Sequence, residues 1–290
     1  MRRTLAQLSA IARFSVVELL GTPAVLLLML TASMGSLVLP LFQFQRFSED
    51  GRLARDCGLA TAFLFGLFLV AGSAGRLRRA LTDGTAAIAL VKPLSRGVWL
   101  GGQLLGSAAL LVWFLLGMSA AVLTAEAFSP QYHTTGEYAD IAGVLRSLLF
   151  PIGALLIGAA NNRFRRGRFT LTAALLLTPL LWVGALLTPQ WHLGILSFPP
   201  IILLFLLQIL ALAGAAAMRF PIGIITCLTL GFAFLLLILP GGAAWLPLDA
   251  LAYGGSVPLR TTCLLLPQAL FTTLTFLWLG MTLLYRKESV

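Results

Sequence analysis

Apolar stretches of near-membrane length alternate with short polar breaks along almost the whole chain. "ALLLTPLLWVGALL" (174–187) and "IILLFLLQILALAGAAA" (201–217) are typical. Each approaches the ~20 residues that an α-helix needs to cross a bilayer. The pattern predicts eight spans, near residues 22–42, 58–75, 98–124, 142–160, 169–188, 196–217, 220–240 and 263–285. The alternating segments of about ten residues that mark a membrane β-barrel are not seen. The expected fold is all-α, a polytopic membrane protein forming one transmembrane domain over residues 1–290. A Gly- and Pro-rich stretch, "LPGGAAWLPLDALAYGGSVPLR" (239–260), precedes the last span as an outer loop or a re-entrant element.

The first 20 residues read differently. Leu5, Leu8, Ile11 and Ala12 recur at three- and four-residue spacing, with Arg3, Gln7 and Arg13 mostly elsewhere. This suits an amphipathic helix lying in the membrane interface, its arginines among anionic headgroups. Gly21-Thr22-Pro23 then breaks the helix, with proline at the first turn of the next one. The basic-then-apolar start reads as a retained span rather than a cleaved signal, because no small-residue site closes the apolar run early.

Composition supports the membrane setting. Of 290 residues, 59% are hydrophobic and only 10% charged, whereas a soluble domain needs about 25% charged residues to wet its surface. The net charge of +10 comes from residues strung between spans rather than from a nucleic-acid-binding patch. Threading the spans alternately puts 15 Lys and Arg on one side and five on the other. Three acids, Glu18, Asp83 and Glu288, fall on the basic side and seven on the opposite side. The positive-inside rule then predicts an inner-membrane, multi-pass protein with both termini cytoplasmic. "NNRFRRGR" (161–168) is the densest basic loop, with Arg163, Arg165, Arg166 and Arg168 facing the cytoplasm beside membrane lipids. Cys57, Cys227 and Cys263 lack CxxC spacing and read as small apolar residues, with a Cys57–Cys263 bridge as the alternative.

Chemistry-bearing patterns are sparse. His133 and His192 fall in separate outer loops, without the neighbours a metal site needs. No phosphate-binding loop ending in Lys-Ser or Lys-Thr is present, so any nucleotide hydrolysis belongs to a partner. Charged residues within the expected spans are nearly absent; Gln208 is the clearest strongly polar one, suited to a helix–helix hydrogen bond. Gly102-xxx-Gly106 with Ser107, and Gly72 with Gly75, offer close-packing surfaces between helices. Neither a catalytic role nor a cofactor is expected.

Residues 76–97, between the second and third spans, are too polar to cross a membrane and too apolar for a free loop. Thr82 or Asp83 can cap a short helix through "GTAAIALV", which ends before Lys92-Pro93 because proline disfavours helix in the residue ahead of it. The arrangement resembles the permeases of ABC-2 type ABC transporters. The matching positions are Thr85, Leu90, the corner Lys92-Pro93-Leu94-Ser95-Arg96, and Gly102-Gln103-Leu104-Leu105-Gly106 at the entry to the third span. "IARFSVVELL" and "DGRLARDCGLATAFLFGLFLVAG" are also similar, so the resemblance covers roughly residues 10–115.

The resemblance implies the membrane subunit of an exporter, with a second permease chain and a cytosolic ABC ATPase as partners. Residues 76–97 would be the coupling segment, with Thr85, Lys92, Pro93, Ser95 and Arg96 at the ATPase contact. Ala80 and Gly84 stand where the family carries Glu and Arg, and Gln103 where Lys is common. The family core has six spans, so eight implies an added pair. A non-transporting membrane scaffold derived from such a permease is the alternative. A membrane enzyme acting on lipid-linked substrates would need acids or histidines clustered at one face, and Glu49, Asp50, Asp56, Glu126, Glu137 and Asp140 are scattered.

Overall fold

The computed structural model describes residues 2–42, 52–84, 95–129, 140–188, 196, 198–238 and 259–286. These contain nine α-helices: α1 (Arg2–Leu20), α2 (Pro23–Val38), α3 (Arg52–Thr82), α4 (Arg96–Ala127), α5 (Ile141–Arg165), α6 (Phe169–Leu186), α7 (Phe198–Ala217), α8 (Ile222–Ile238) and α9 (Leu259–Arg286). No strand occurs among the described residues. α3 to α7 are each long and apolar enough to cross a bilayer. α1 and α2 together pass the same test as a bent pair, giving up to six. The apolar parts of α8 and α9, Ile222–Phe234 and Ala269–Leu283, are shorter. The chain is a helical, multi-pass membrane-type protein.

The Gly21-Thr22-Pro23 break is real, and α2 leaves α1 at 69°. Thr22 Oγ1 donates to the Leu19 carbonyl at 2.6 Å and so covers one of the open carbonyls at the end of α1. Pro23 begins α2, where a missing N–H costs nothing. Thr170 Oγ1, at the start of α6, donates to the Gly21 carbonyl at 2.7 Å and pins the corner to the next hairpin. The face of α1 carrying Leu8, Ile11, Ala12 and Ser15 lies against α4, while Leu5, Phe14 and Val17 of the same helix are exposed. Part of the apolar stripe expected to lie on the membrane interface is therefore used for protein packing.

α4 and α7 form the centre. In each, 72% of the most apolar window is buried, against 33% for α5 and 39% for α6, which pack together at the rim. Phe114 and Met118 of α4 and Phe198 and Ile202 of α7 are almost fully enclosed. Phe63 of α3 meets Phe205 of α7 with ring centres 5.7 Å apart. Trp113 Nε1 donates to the Ala174 carbonyl, and Thr178 Oγ1 returns a bond to the Trp113 carbonyl, both at 3.2 Å, joining α4 to α6. In lipid, such packing and interhelical hydrogen bonds replace the hydrophobic drive of a soluble core.

Gly102 and Gly106 set the α1–α4 spacing. A methyl on Gly106 would lie 2.5 Å from Ser15 Cβ and 2.9 Å from the Ala12 carbonyl oxygen. One on Gly102 would meet Ile11 at 2.7 Å. The Gly-xxx-Gly surface thus serves contact within one chain.

Candidate functional site

The arginine-rich end of α3 organises the most polar region among the described residues. α3 runs well past residue 75, so Arg76, Arg78 and Arg79 belong to its last turns rather than to a loop. This corrects the sequence-based placement. Arg76 Nη1 pairs with Glu18 Oε2 of α1 at 2.6 Å. Its Nη2 donates to Ser15 Oγ of α1 and Gln103 Oε1 of α4, both at 2.7 Å. Ser15 Oγ and Ser107 Oγ donate to the Gln103 carbonyl at 3.4 and 3.1 Å. The Arg76 side chain is 19% exposed and that of Glu18 48%, so the pair reaches from the protein interior to the surface. Two residues further along α3, Arg78 Nη1 donates to the Ala217 and Met218 carbonyls at 3.4 and 3.3 Å, satisfying the open end of α7. One end of α3 therefore holds α1, α4 and α7 together.

A second ionic contact stands at the opposite end of the same helix pair. Arg55 of α3 bonds Glu126 of α4, and both residues are buried, at 7% and 2% exposure. The arginine sits in the second turn of its helix and the glutamate in the last turn of its own. Each is at the macrodipole end that disfavours its charge, and their mutual pairing offsets part of that cost. Sequence reasoning assigned both to outer loops and missed them, because it ended the spans near residues 58 and 124. The missed signal is the charge itself: an Arg and a Glu each lie within one or two turns of an apolar run, on antiparallel neighbours. Gln208 is buried.

Of the expected coupling residues, Thr85, Lys92 and Pro93 lie outside the described residues, as does the short helix expected around them. The borders of that segment are defined. Thr82 Oγ1 donates back to the Arg79 carbonyl at 3.0 Å, and Asp83 N–H does the same at 2.8 Å. Gly84 then takes φ 75°, a left-handed conformation suited to glycine, and α3 stops. On the return side Ser95 is exposed, and its Oγ accepts from Val98 N–H at 3.4 Å as the N-cap of α4. Arg96, half-buried, is the first residue of that helix.

The basic loop forms a tight hairpin between α5 and α6. Arg163, Arg165, Arg166 and Arg168 are all exposed, together with Phe164 at 83%. Arg166 adopts φ 53°, which is uncommon for a non-glycine residue, and closes α5. Asn161 Nδ2 donates to Thr172 Oγ1 across the hairpin at 2.7 Å. His133 and His192 lie outside the described residues. Cys57 and Cys227 are free thiols, so the Cys57–Cys263 bridge does not form. Among the described residues, no three His, Cys, Asp or Glu side chains come together as a metal site. Comparison with protein-family models, characterised proteins and solved structures finds no match to this chain.

Proposed function

We propose that the chain is the permease subunit of an ABC-2 type exporter of the inner membrane, driven by a separate cytosolic ATPase. Both termini lie in the cytoplasm, and eight crossings include α8 and α9 as the pair added to a six-span core. α1 lies at the cytoplasmic interface. A second permease chain completes the pathway. The observation that carries this reading is the mechanical position of the segment between α3 and α4. It leaves α3 just beyond Arg76 and Arg78, whose partners are on α1, α4 and α7. A push on that segment is delivered directly to four helices. Gln103 stands where the resembled family has Lys, and here it accepts from Arg76; a lysine would set a second cation against the guanidinium.

A scaffold without transport is the second reading, and Gly84 favours it. The position where the family carries Arg is used here as a left-handed helix stop, so no side chain projects from it toward a partner. The two readings separate on one experiment. The chain is co-expressed with its candidate ATPase, and Ala86→Trp and Ala87→Trp variants are compared with the parent. The exporter reading expects co-purification and ATPase stimulation by the parent, and loss of both in the Trp variants while membrane insertion persists. Normal binding and turnover in both variants would overturn the coupling role. Binding without any stimulation by the parent would support the scaffold. For orientation, reporter fusions after Glu288 should read as cytoplasmic and fusions at Gly136 as external.

A further inference from the structure

A cleft of about 300 Å³ opens on the flank of the helix bundle between α4 and α9. Gly101, Leu105 and Ala108 of α4 form one wall, Thr273 and Leu277 of α9 the other, and Leu207 of α7 contributes to the floor. The lining is hydrocarbon apart from the Thr273 hydroxyl and main-chain atoms. α4 and α9 both pack on α7. Gly280 brings α9 in so closely that an added methyl would be 3.2 Å from Ala215 Cα. α4 and α9 meet at the arginine-rich end, where a methyl on Gly97 would lie 2.7 Å from Met281 Cε. Beyond that contact the cleft keeps them apart. Its rim joins the outer apolar surface through Leu105 and Leu274, at 48% and 62% exposure.

Three physical points choose the occupant. A dry apolar cavity of about 150 Å³ already admits a benzene-sized hydrocarbon, and this cleft is larger and opens toward the bilayer interior. A second copy's helix does not fit, because a cleft of about 300 Å³ spread over the ~10 Å rise from Gly101 to Ala108 is narrower than a helix about 10 Å across. A single hydrocarbon tail does. The depth matches as well: the lining on α4 from Gly101 to Ala108 rises about 10 Å, room for the first several carbons of a tail below its headgroup. The end closed by Gly97 and Met281 is also positive. Arg96 opens α4, Arg78 and Arg79 stand in the last turns of α3 at the same end, and the first amides of α4 add their dipole. Cations at that level favour an anionic headgroup.

We infer that this cleft is a lipid site, holding one acyl chain of an anionic phospholipid from the arginine-rich leaflet. The chain acts as a spacer between α4 and α9. This site requires only the membrane setting and is independent of the exporter reading. The test reconstitutes the full chain in vesicles of phosphatidylcholine doped with phosphatidylglycerol carrying a diazirine on its acyl chain. Photolysis and peptide mapping then locate the adducts. The expected result is enrichment on Leu105, Thr273 and Leu277 over the outward residues Leu149 and Leu156 of α5. It should weaken several-fold when the probe is phosphatidylcholine. Gly101→Leu, at a position with room for a side chain, should cut cleft labelling several-fold and leave α5 labelling unchanged, which also reports folding. Thr273→Phe provides a second filling variant from the other wall. Equal labelling of cleft and α5, equal labelling by the two lipids, or indifference to both filling variants would overturn the site.

Discussion

Replacing Gly106 by alanine tests how the N-terminal helix is held. The new methyl would sit 2.5 Å from Ser15 Cβ and 2.9 Å from the Ala12 carbonyl oxygen, while relaxed carbon contacts need about 3.5–4.0 Å. One obstacle is backbone, so no rotamer change relieves it, and α1 must retreat from α4 by about 1 Å. That retreat stretches the 2.7 Å Arg76–Ser15 hydrogen bond beyond the useful range. Overpacking costs about 1–3 kcal/mol, and loss of a bond to a charged group about 1.5–3 kcal/mol. The expected sum is roughly 2.5–6 kcal/mol, offset by less than 1 kcal/mol of improved helix propensity. Thermal unfolding in detergent measures the loss. Crosslinking between Leu8→Cys and Gly101→Cys, whose sites are adjacent across the same interface, reports the separation. Gly35→Ala and Gly72→Ala are the controls, since a methyl there meets nothing within 4 Å; both should be neutral or slightly stabilising. If Gly106→Ala matches these controls in midpoint and crosslinking, the α1–α4 contact does not exist as described.

Three further outcomes are expected. Glu126→Leu alone should destabilise by about 1–3 kcal/mol, because it removes a buried charge-assisted contact to Arg55, and Arg55→Leu added to it should restore part of the loss; a double variant no better than the single one would refute mutual pairing. Gln103→Lys should lower the unfolding midpoint by the equivalent of about 1–3 kcal/mol by placing a cation against Arg76, whereas Gln103→Glu should be tolerated; reversal of that order in thermal scans would remove Gln103 from the cluster. Neutralising Arg163, Arg165, Arg166 and Arg168 together should weaken insertion or invert the α5–α6 hairpin, since each contributes about 1 kcal/mol of attraction to an anionic surface; accessibility labelling that shows unchanged topology would reduce the loop to a solvated turn.

Apolar run length was enough to read the helical membrane class and the approximate positions of α4 to α7, because the hydrocarbon thickness dictates it. The break at Gly21–Pro23 was also legible, since glycine and proline act locally on the backbone. The ionic contacts were not. Run length says where hydrocarbon is filled, not how far a helix continues beyond it, so Arg55, Arg76 and Glu126 looked like loop residues. The role of Gly102 and Gly106 was half legible: small residues announce close approach but do not name the approaching helix. Leu8 and Ile11 show the same limit, for an apolar stripe serves lipid and protein equally well.

Arg55 and Arg76 together act as a depth gauge. The 21 residue steps between them on α3 rise about 32 Å, so the two guanidiniums are spaced to match the ~30 Å thickness of a hydrocarbon core. Their partners Glu126 and Gln103 lie at matching heights on the antiparallel α4. A slide of one helix along the other by a single turn, about 5.4 Å, would break both contacts at once and drag a charge into hydrocarbon. α3 and α4 are thereby fixed in register and can tilt only as one body. Any working motion of this protein has to occur between that pair and the helices around it.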